Sequence, residues 1–200
     1  MARVVLFVDL DYFFAQVEEL DNPSLKTVPV VVCVFSGRTV DSGVVSSANY
    51  LARKYGVKAG MPIKHAKRLL PQQSAVLPVR MGRYVEVSRK VMDVLRSFGG
   101  VLRVESIDEA VMDVTHVVGG DFDSAYRMAS DVKRKVFDET GLTCSVGVGP
   151  NWVVAKIAAD VAKPNGLKMV RPEEVREFLS PLALKMLPGI GSKTEKMLSD

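Results

Sequence analysis

Two β-rich runs, over residues 101–105 and 109–114, are separated only by Ser106, Ile107 and Asp108. Strands joined so tightly can pair only antiparallel, because a parallel pair needs a crossover of a dozen residues or more. This argues against a doubly wound parallel sheet and for an α+β sheet with helices on one side. Residues 4–8 read as a buried strand. From Asp11 the spacing of Phe13, Phe14, Val17 and Leu20 follows a helical face, with Asp11 at the N-cap position. A second β-rich run covers 28–35, and two short helical patterns lie near 48–55 and 62–70. A longer helix over about 82–98 places Tyr84, Val87, Val91, Leu95 and Phe98 on one face before Gly99 and Gly100 end it. Beyond the hairpin, Ala125, Met128, Ala129, Val132 and Val136 mark another helix, followed by a strand at 143–148 and a helix over 151–162.

The material for a core is ample: of 200 residues 48% are apolar and 25% charged, which excludes disorder as the main state. The longest apolar run, Val30 to Phe35, has six residues, far short of the ~20 that a membrane helix needs. Val4 to Val8 lead straight into Asp9 without a signal-peptide layout, so a soluble cytoplasmic protein is expected. Cys33 and Cys144 lie in apolar, strand-like stretches and read as core residues, and the isolated His65 and His116 offer little for histidine chemistry.

Charge is unevenly spread. Between Asp41 and Glu86 there is no acid, while Arg53, Lys54, Lys58, Lys64, Lys67, Arg68, Arg80 and Arg83 give that window +8. The remainder, with 19 basic and 23 acidic residues, carries −4. The window reads as a surface for a polyanion such as nucleic acid or a triphosphate rather than as an ordinary solvated helix face.

Asp9 stands where the first strand ends, and Asp108 and Glu109 stand where the hairpin turns, so two strand ends each present acids. Carboxylates held a few ångströms apart raise one another's pKa unless a cation sits among them, and Mg²⁺ answers that need. Two ions ~4 Å apart could polarise a hydroxyl and stabilise a leaving pyrophosphate. The spacing alone also allows a helix start and a solubilising hairpin tip. It further allows an aspartyl-nucleophile phosphatase, in which Asp9 attacks and Asp11 acts as general acid, although Phe13 and the hairpin fit that reading poorly.

Four ordered motifs carry a more specific likeness: Val8-Asp9-Leu10-Asp11-Tyr12-Phe13-Phe14-Ala15, Ala48-Asn49-Tyr50-Leu51-Ala52-Arg53, Ser106-Ile107-Asp108-Glu109-Ala110 and Lys163-Pro164-Asn165-Gly166. Together they resemble Y-family translesion DNA polymerases, most closely the archaeal DNA polymerase IV type. The resemblance implies a ferredoxin-like antiparallel palm over 1–35 and 81–170, a small basic fingers insertion over 36–80, and a partial helical thumb over 171–200. The C-terminal little-finger domain of such polymerases is absent, so a truncated catalytic fragment is expected. Template-directed DNA synthesis is the implied activity, and a DNA-binding module with weak or no catalysis is the alternative.

The same likeness implies that Asp9, Asp108 and Glu109, with the carbonyl of Leu10, hold two Mg²⁺ ions. Ser47, Tyr50, Arg53 and Lys163 match positions that bind the triphosphate, and Phe14 falls at the steric gate beneath the sugar, although either Phe13 or Phe14 could be core. Leu187-Pro188-Gly189-Ile190-Gly191 resembles a helix-hairpin-helix turn, so Gly189 and Gly191 are expected at a DNA phosphate. The implied partners are primed DNA, a deoxynucleoside triphosphate and, through the missing C-terminal part, a sliding clamp; a monomer is expected. Trp152 and Val111 depart from the pattern, which commonly has Lys and an aromatic there, and Ser46 and Ser47 replace a small residue and Thr.

Overall fold

The computed structural model describes every residue except Arg38, Val40 and Asp200. In chain order the elements are β1 (Val5–Leu10), α1 (Phe13–Asp21), β2 (Val30–Phe35), β3 (Gly43–Ala48), α2 (Tyr50–Lys54), α3 (Ile63–Leu69), β4 (Ala75–Pro78) and α4 (Met81–Arg96). There follow β5 (Val101–Val104), β6 (Glu109–Asp113), α5 (Phe122–Thr140), β7 (Cys144–Gly149), α6 (Trp152–Ala162), β8 (Leu167–Met169), α7 (Val175–Leu179) and α8 (Ser192–Ser199). The chain divides into two compact units, one of Met1–Asp11 with Lys90 onward, the other of Tyr12–Arg89.

The first unit is built on a sheet of order β5-β6-β1-β7-β8. β1 is central and buried along its whole length, as the apolar run Val5–Val8 requires and with Asp9 buried beyond it, and pairs antiparallel with both β6 and β7. The hairpin pairs β5 with β6 as expected. The sheet is not wholly antiparallel, however, because β8 runs parallel to β7. The reason is α6, long enough to serve as the crossover of a β7-α6-β8 unit. α6 lies hard against the sheet: a Cβ on Gly147 would stand 1.9 Å from the Ala155 carbonyl oxygen, so only glycine allows this approach. Val5, Phe7, Val111, Ala155 and Ala159 form the resulting core layer, with Trp152 packed against it.

The second unit holds a smaller mixed sheet, β3-β2-β4, with β2 antiparallel to β3 and parallel to β4. Its core gathers Val31, Cys33, Val45, Ala48, Ala52, Val57, Ile63 and Ala66. Both cysteines are buried free thiols, as their apolar flanks imply. Among the described residues no helix is long and apolar enough to cross a membrane.

Candidate active site

Asp9 is the fifth residue of β1 and stands directly opposite Glu109 of β6. Cross-strand partners project from the same face of an antiparallel pair, with Cβ atoms roughly 5 Å apart, so this register alone brings the two carboxylates together. The ladder continues past the strand end, where the Leu10 amide donates to the Asp108 carbonyl at 3.0 Å. The acids expected from separate stretches therefore stand at one end of the paired strands β1 and β6, with Leu10 beside them.

Asp9 is only 3% exposed. Burial pushes its carboxyl up to about 7, Lys163 pulls it down, and the charges of Glu109 and Asp108 add to the rise. Lys163 reaches Asp9 Oδ2 at 2.5 Å and Asp160 Oδ1 at 3.2 Å. Burial disfavours the Lys163 charge, but these two acids outweigh it and hold its pKa above the usual lysine range. Lys156 on α6 reaches Glu109 Oε1 at 2.6 Å and lies 4.5 Å from the centre of the Phe7 ring. Asp108 accepts from the Ser106 hydroxyl at 2.6 Å.

Three carboxylates and a backbone carbonyl form an all-oxygen donor set, which suits a hard divalent cation. The side chains do not stand at ligand distance, and among the described residues no three acids, histidines or cysteines form a ready metal site. The neighbours explain this: Asp9 is turned to Lys163, Glu109 to Lys156 and Asp108 to Ser106.

Asp11 does not cap α1. The cap position belongs to Tyr12, in the left-handed region at φ 35°, without a side-chain cap. Asp11 is fully buried and accepts from the Thr143 hydroxyl at 2.8 Å, the Ser145 hydroxyl at 2.8 Å and the Asn165 amide at 3.0 Å. A carboxylate so enclosed cannot serve as the exposed general acid that a phosphatase would need, and β1 lies between antiparallel neighbours.

The remaining expected nucleotide contacts lie in the second unit. Ser47 donates to the Tyr12 carbonyl at 3.0 Å and accepts from the Ala15 amide at 3.4 Å, which ties β3 to the start of α1. Tyr50 meets Tyr12 edge-on at 4.9 Å between ring centres. The Arg53 guanidinium lies 5.1 Å from the centre of the Tyr50 ring and donates from Nε to the Ala48 carbonyl at 2.9 Å. Phe13 is buried, whereas Phe14 is half-buried and stacks on Tyr84 at 4.3 Å.

Sequence reasoning did not single out Asn49, whose side chain holds this region together. It caps α2 through the Ala52 amide, accepts from the Val30 amide, and donates to Glu19 and to the Val28 carbonyl. An Asn just before a helical pattern is the signal that could have revealed it. Lys156 was missed as well; only the packing of α6 beside β6 makes it a partner of Glu109.

Gly189 and Gly191 lie in the turn before α8. The Ile190 amide returns to the Leu187 carbonyl at 3.0 Å and Gly189 adopts φ +86°, the arrangement a Pro-Gly turn favours.

Comparison with known proteins fixes the lineage. The model of the impB/mucB/samB family matches residues 8–160. The chain belongs to that family. Among curated members, DNA polymerase IV of Metallosphaera sedula is 53% identical over 195 residues, and DNA polymerase IV of Saccharolobus solfataricus is 50% identical over the same length. Each alignment takes in 98% of this chain and 55% of the relative, so the chain spans about half the length of the family members it matches. Among solved structures, the insertion ternary complex of Dbh DNA polymerase superposes with a TM-score of 0.93 at 47% identity, over 98% of this chain and 57% of that one. DinB from Sulfolobus solfataricus gives 0.91 at 46%, over 98% and 56%. The Y-family likeness drawn from the four motifs and the α+β class are thus borne out.

Proposed function

We propose that this chain carries the catalytic part of a template-directed DNA polymerase of the translesion type. In this reading the first unit supplies palm and partial thumb, and the second contains the fingers. The observation that carries the proposal is the register placing Asp9 opposite Glu109, with Asp108 beside them. Asp9, Asp108, Glu109 and the Leu10 carbonyl would hold two Mg²⁺ ions, which when bound supply polarisation of a hydroxyl nucleophile and charge stabilisation of leaving pyrophosphate. The chain's own side chains do the rest. Arg53 offers a planar fork and Lys163 a point charge to triphosphate oxygens, and Tyr50 offers a hydroxyl, whereas Ser47 would donate to them only by giving up its bond to the Tyr12 carbonyl. The Phe14 ring, held flat against Tyr84, bounds the sugar and excludes a 2′-hydroxyl. Primed DNA and a deoxynucleoside triphosphate are the substrates, with Gly189 and Gly191 at a backbone phosphate. The active species is a cytoplasmic monomer, and a sliding clamp is engaged through the part of the relatives that this chain does not span.

Pairing of Asp9 and Glu109 with lysines is the observation favouring a module that binds DNA without catalysis. Single-turnover extension of a primed template, with and without Mg²⁺, separates the two. Metal-dependent extension is expected, and Asp108→Ala should lower its rate by about a hundredfold or more. Wild-type extension by Asp108→Ala at saturating Mg²⁺ would refute the metal-site reading, and no extension by the wild type would leave the binding module.

A further inference from the structure

The loop after α6 carries Lys163, Pro164, Asn165 and Gly166, and it is held in place by polar groups rather than by apolar packing. The Asn165 amide donates to Asp11 Oδ2 at 3.0 Å and the Gly166 amide donates to Ser145 Oγ at 3.3 Å. The Gly166 carbonyl accepts from the Val146 amide at 3.0 Å. Lys133 adds a contact of 2.7 Å to the Asn165 side chain. Asp11 is the hub of this arrangement. Its second oxygen takes the Ser145 hydroxyl, so the side chain that accepts from Asn165 also orients the group that receives Gly166.

A carboxylate with no exposure is costly unless every lone pair is used, and here Thr143, Ser145 and Asn165 all converge on it. No apolar residue of similar size could make those bonds. Asp11 sits two residues beyond Asp9, just past the end of β1, and Asn165 sits two residues beyond Lys163 on the loop. The bond between Asp11 and Asn165 therefore fixes, over a short span of chain, the spacing at which Lys163 meets Asp9.

We propose that Asp11 is a positioning residue for Lys163: it locks the 163–166 loop against β1 and β7 so that the ammonium stands at the acidic strand end where a triphosphate is received. This rests on the reading of Lys163 as a triphosphate contact. Asp11 touches neither substrate nor metal donors in this role; it acts through the loop.

Single-nucleotide incorporation kinetics on a primed template test the proposal, with thermal unfolding measured for every variant. Asp11→Ala should raise KM for the incoming nucleotide about tenfold while kcat stays within about threefold, the pattern of lost substrate binding. Lys163→Ala should raise KM at least as much. The decisive comparison is the double variant. If Asp11 acts through Lys163, Asp11→Ala adds nothing to KM in a Lys163→Ala background; if the two effects multiply, Asp11 has a separate structural role and the proposal fails. A fall in kcat with unchanged KM in Asp11→Ala also overturns it. Wild-type KM in Lys163→Ala sinks the reading of Lys163 itself, whereas raised KM there with wild-type KM in Asp11→Ala sinks only the positioning role. Should Asp11→Ala lose its unfolding transition, Asp11→Asn and Ser145→Ala take its place. A rise of about threefold in either supports the proposal, and wild-type KM in both overturns it.

Discussion

Phe13 is 2% exposed, while its neighbour Phe14 stays half-buried with its ring 4.3 Å from that of Tyr84 and tilted by only 12°. Helical spacing admits either ring to the core, and both meet the Tyr84 ring some 70 positions away, Phe13 edge-on and Phe14 stacked, which is why the sequence left the choice open. The stack gives Phe14 a fixed plane, as a group that bounds a sugar needs. Phe14→Ala should therefore lower discrimination against ribonucleotides about tenfold or more, read as the ratio of kcat/KM for deoxy and ribo substrates. Unchanged discrimination would make Phe14 a packing residue. Asp113 illustrates a different residue-scale balance. Burial alone would raise its pKa, but bonds from the Thr115 hydroxyl and amide and from Arg3 outweigh that and hold it below the usual carboxylate range. A depressed pKa stabilises the fold above the unfolded value near 3.8, and the gain is lost as pH falls through the folded value. Asp113→Asn should thus cost about 1 kcal/mol near pH 7 in denaturant titrations, since solvent screens a carboxylate at the surface, with the gap to wild type closing in acid. A gap that persists at pH 2 would mean the carboxylate charge is not its source.

At the scale of elements, the hairpin, the central strand β1 and the helices α4, α5 and α6 follow directly from apolar spacing and turn residues. The short strands β4 and β8 do not, because three or four residues hold too little pattern to distinguish a strand from a loop. β2 lies in the 1–35 segment that the resemblance implies as palm, and it pairs with β3 and β4 in the second unit, a pairing that depends on how the chain returns and not on the order of the runs along it. Asp11 was misjudged for a related reason. An Asp before a helical pattern looks like a cap, and its real partners, Thr143, Ser145 and Asn165, are more than 130 residues distant. The packing of α6 onto β7 yields a sharper test. A methyl on Gly147 would meet the Ala155 carbonyl oxygen at 1.9 Å and the Ala159 amide nitrogen at 2.5 Å, both backbone atoms that cannot turn aside. Gly147→Ala should cost about 3 kcal/mol or more in unfolding free energy. Because α6 carries Lys156 and leads to Lys163, extension should fail together with the melting transition. A variant as stable as wild type would show that the helix can shift away.

For the molecule as a whole, the charge pattern was legible but its accounting was not. The second unit contains eleven basic and five acidic residues, so its net +6 keeps the asymmetry seen along the sequence. Folding nevertheless withdraws part of the basic window from any ligand. Arg80 bonds Glu18 and Asp21, Arg83 bonds Asp21 and Glu86, and Lys67 pairs with Asp41. Acids from α1, outside the window in sequence, reach into it in space, and Glu18 also accepts from the buried Tyr84 hydroxyl at 2.6 Å. Lys54, Lys58, Lys64 and Arg68 stay exposed, and among the described residues no ion pair engages them. Arg53 is exposed and outside any such ion pair as well, but its guanidinium is held by the Ala48 carbonyl and the Tyr50 ring. These four of the eight are therefore the cations with no such partner to give up to a nucleic-acid backbone. Each phosphate they neutralise should contribute about 0.7 to 0.9 to the slope of log affinity against log salt. Replacing Lys64 and Arg68 together by Ala should reduce that slope by about 1.5 in fluorescence-anisotropy titrations of primed DNA, with little change in melting temperature. Arg80→Ala should do the reverse, leaving the slope intact while lowering stability, because it strips a partner from the nearly buried Glu18. An affinity indifferent to salt, or a slope that responds to Arg80 and not to Lys64 and Arg68, would place the polyanion surface elsewhere.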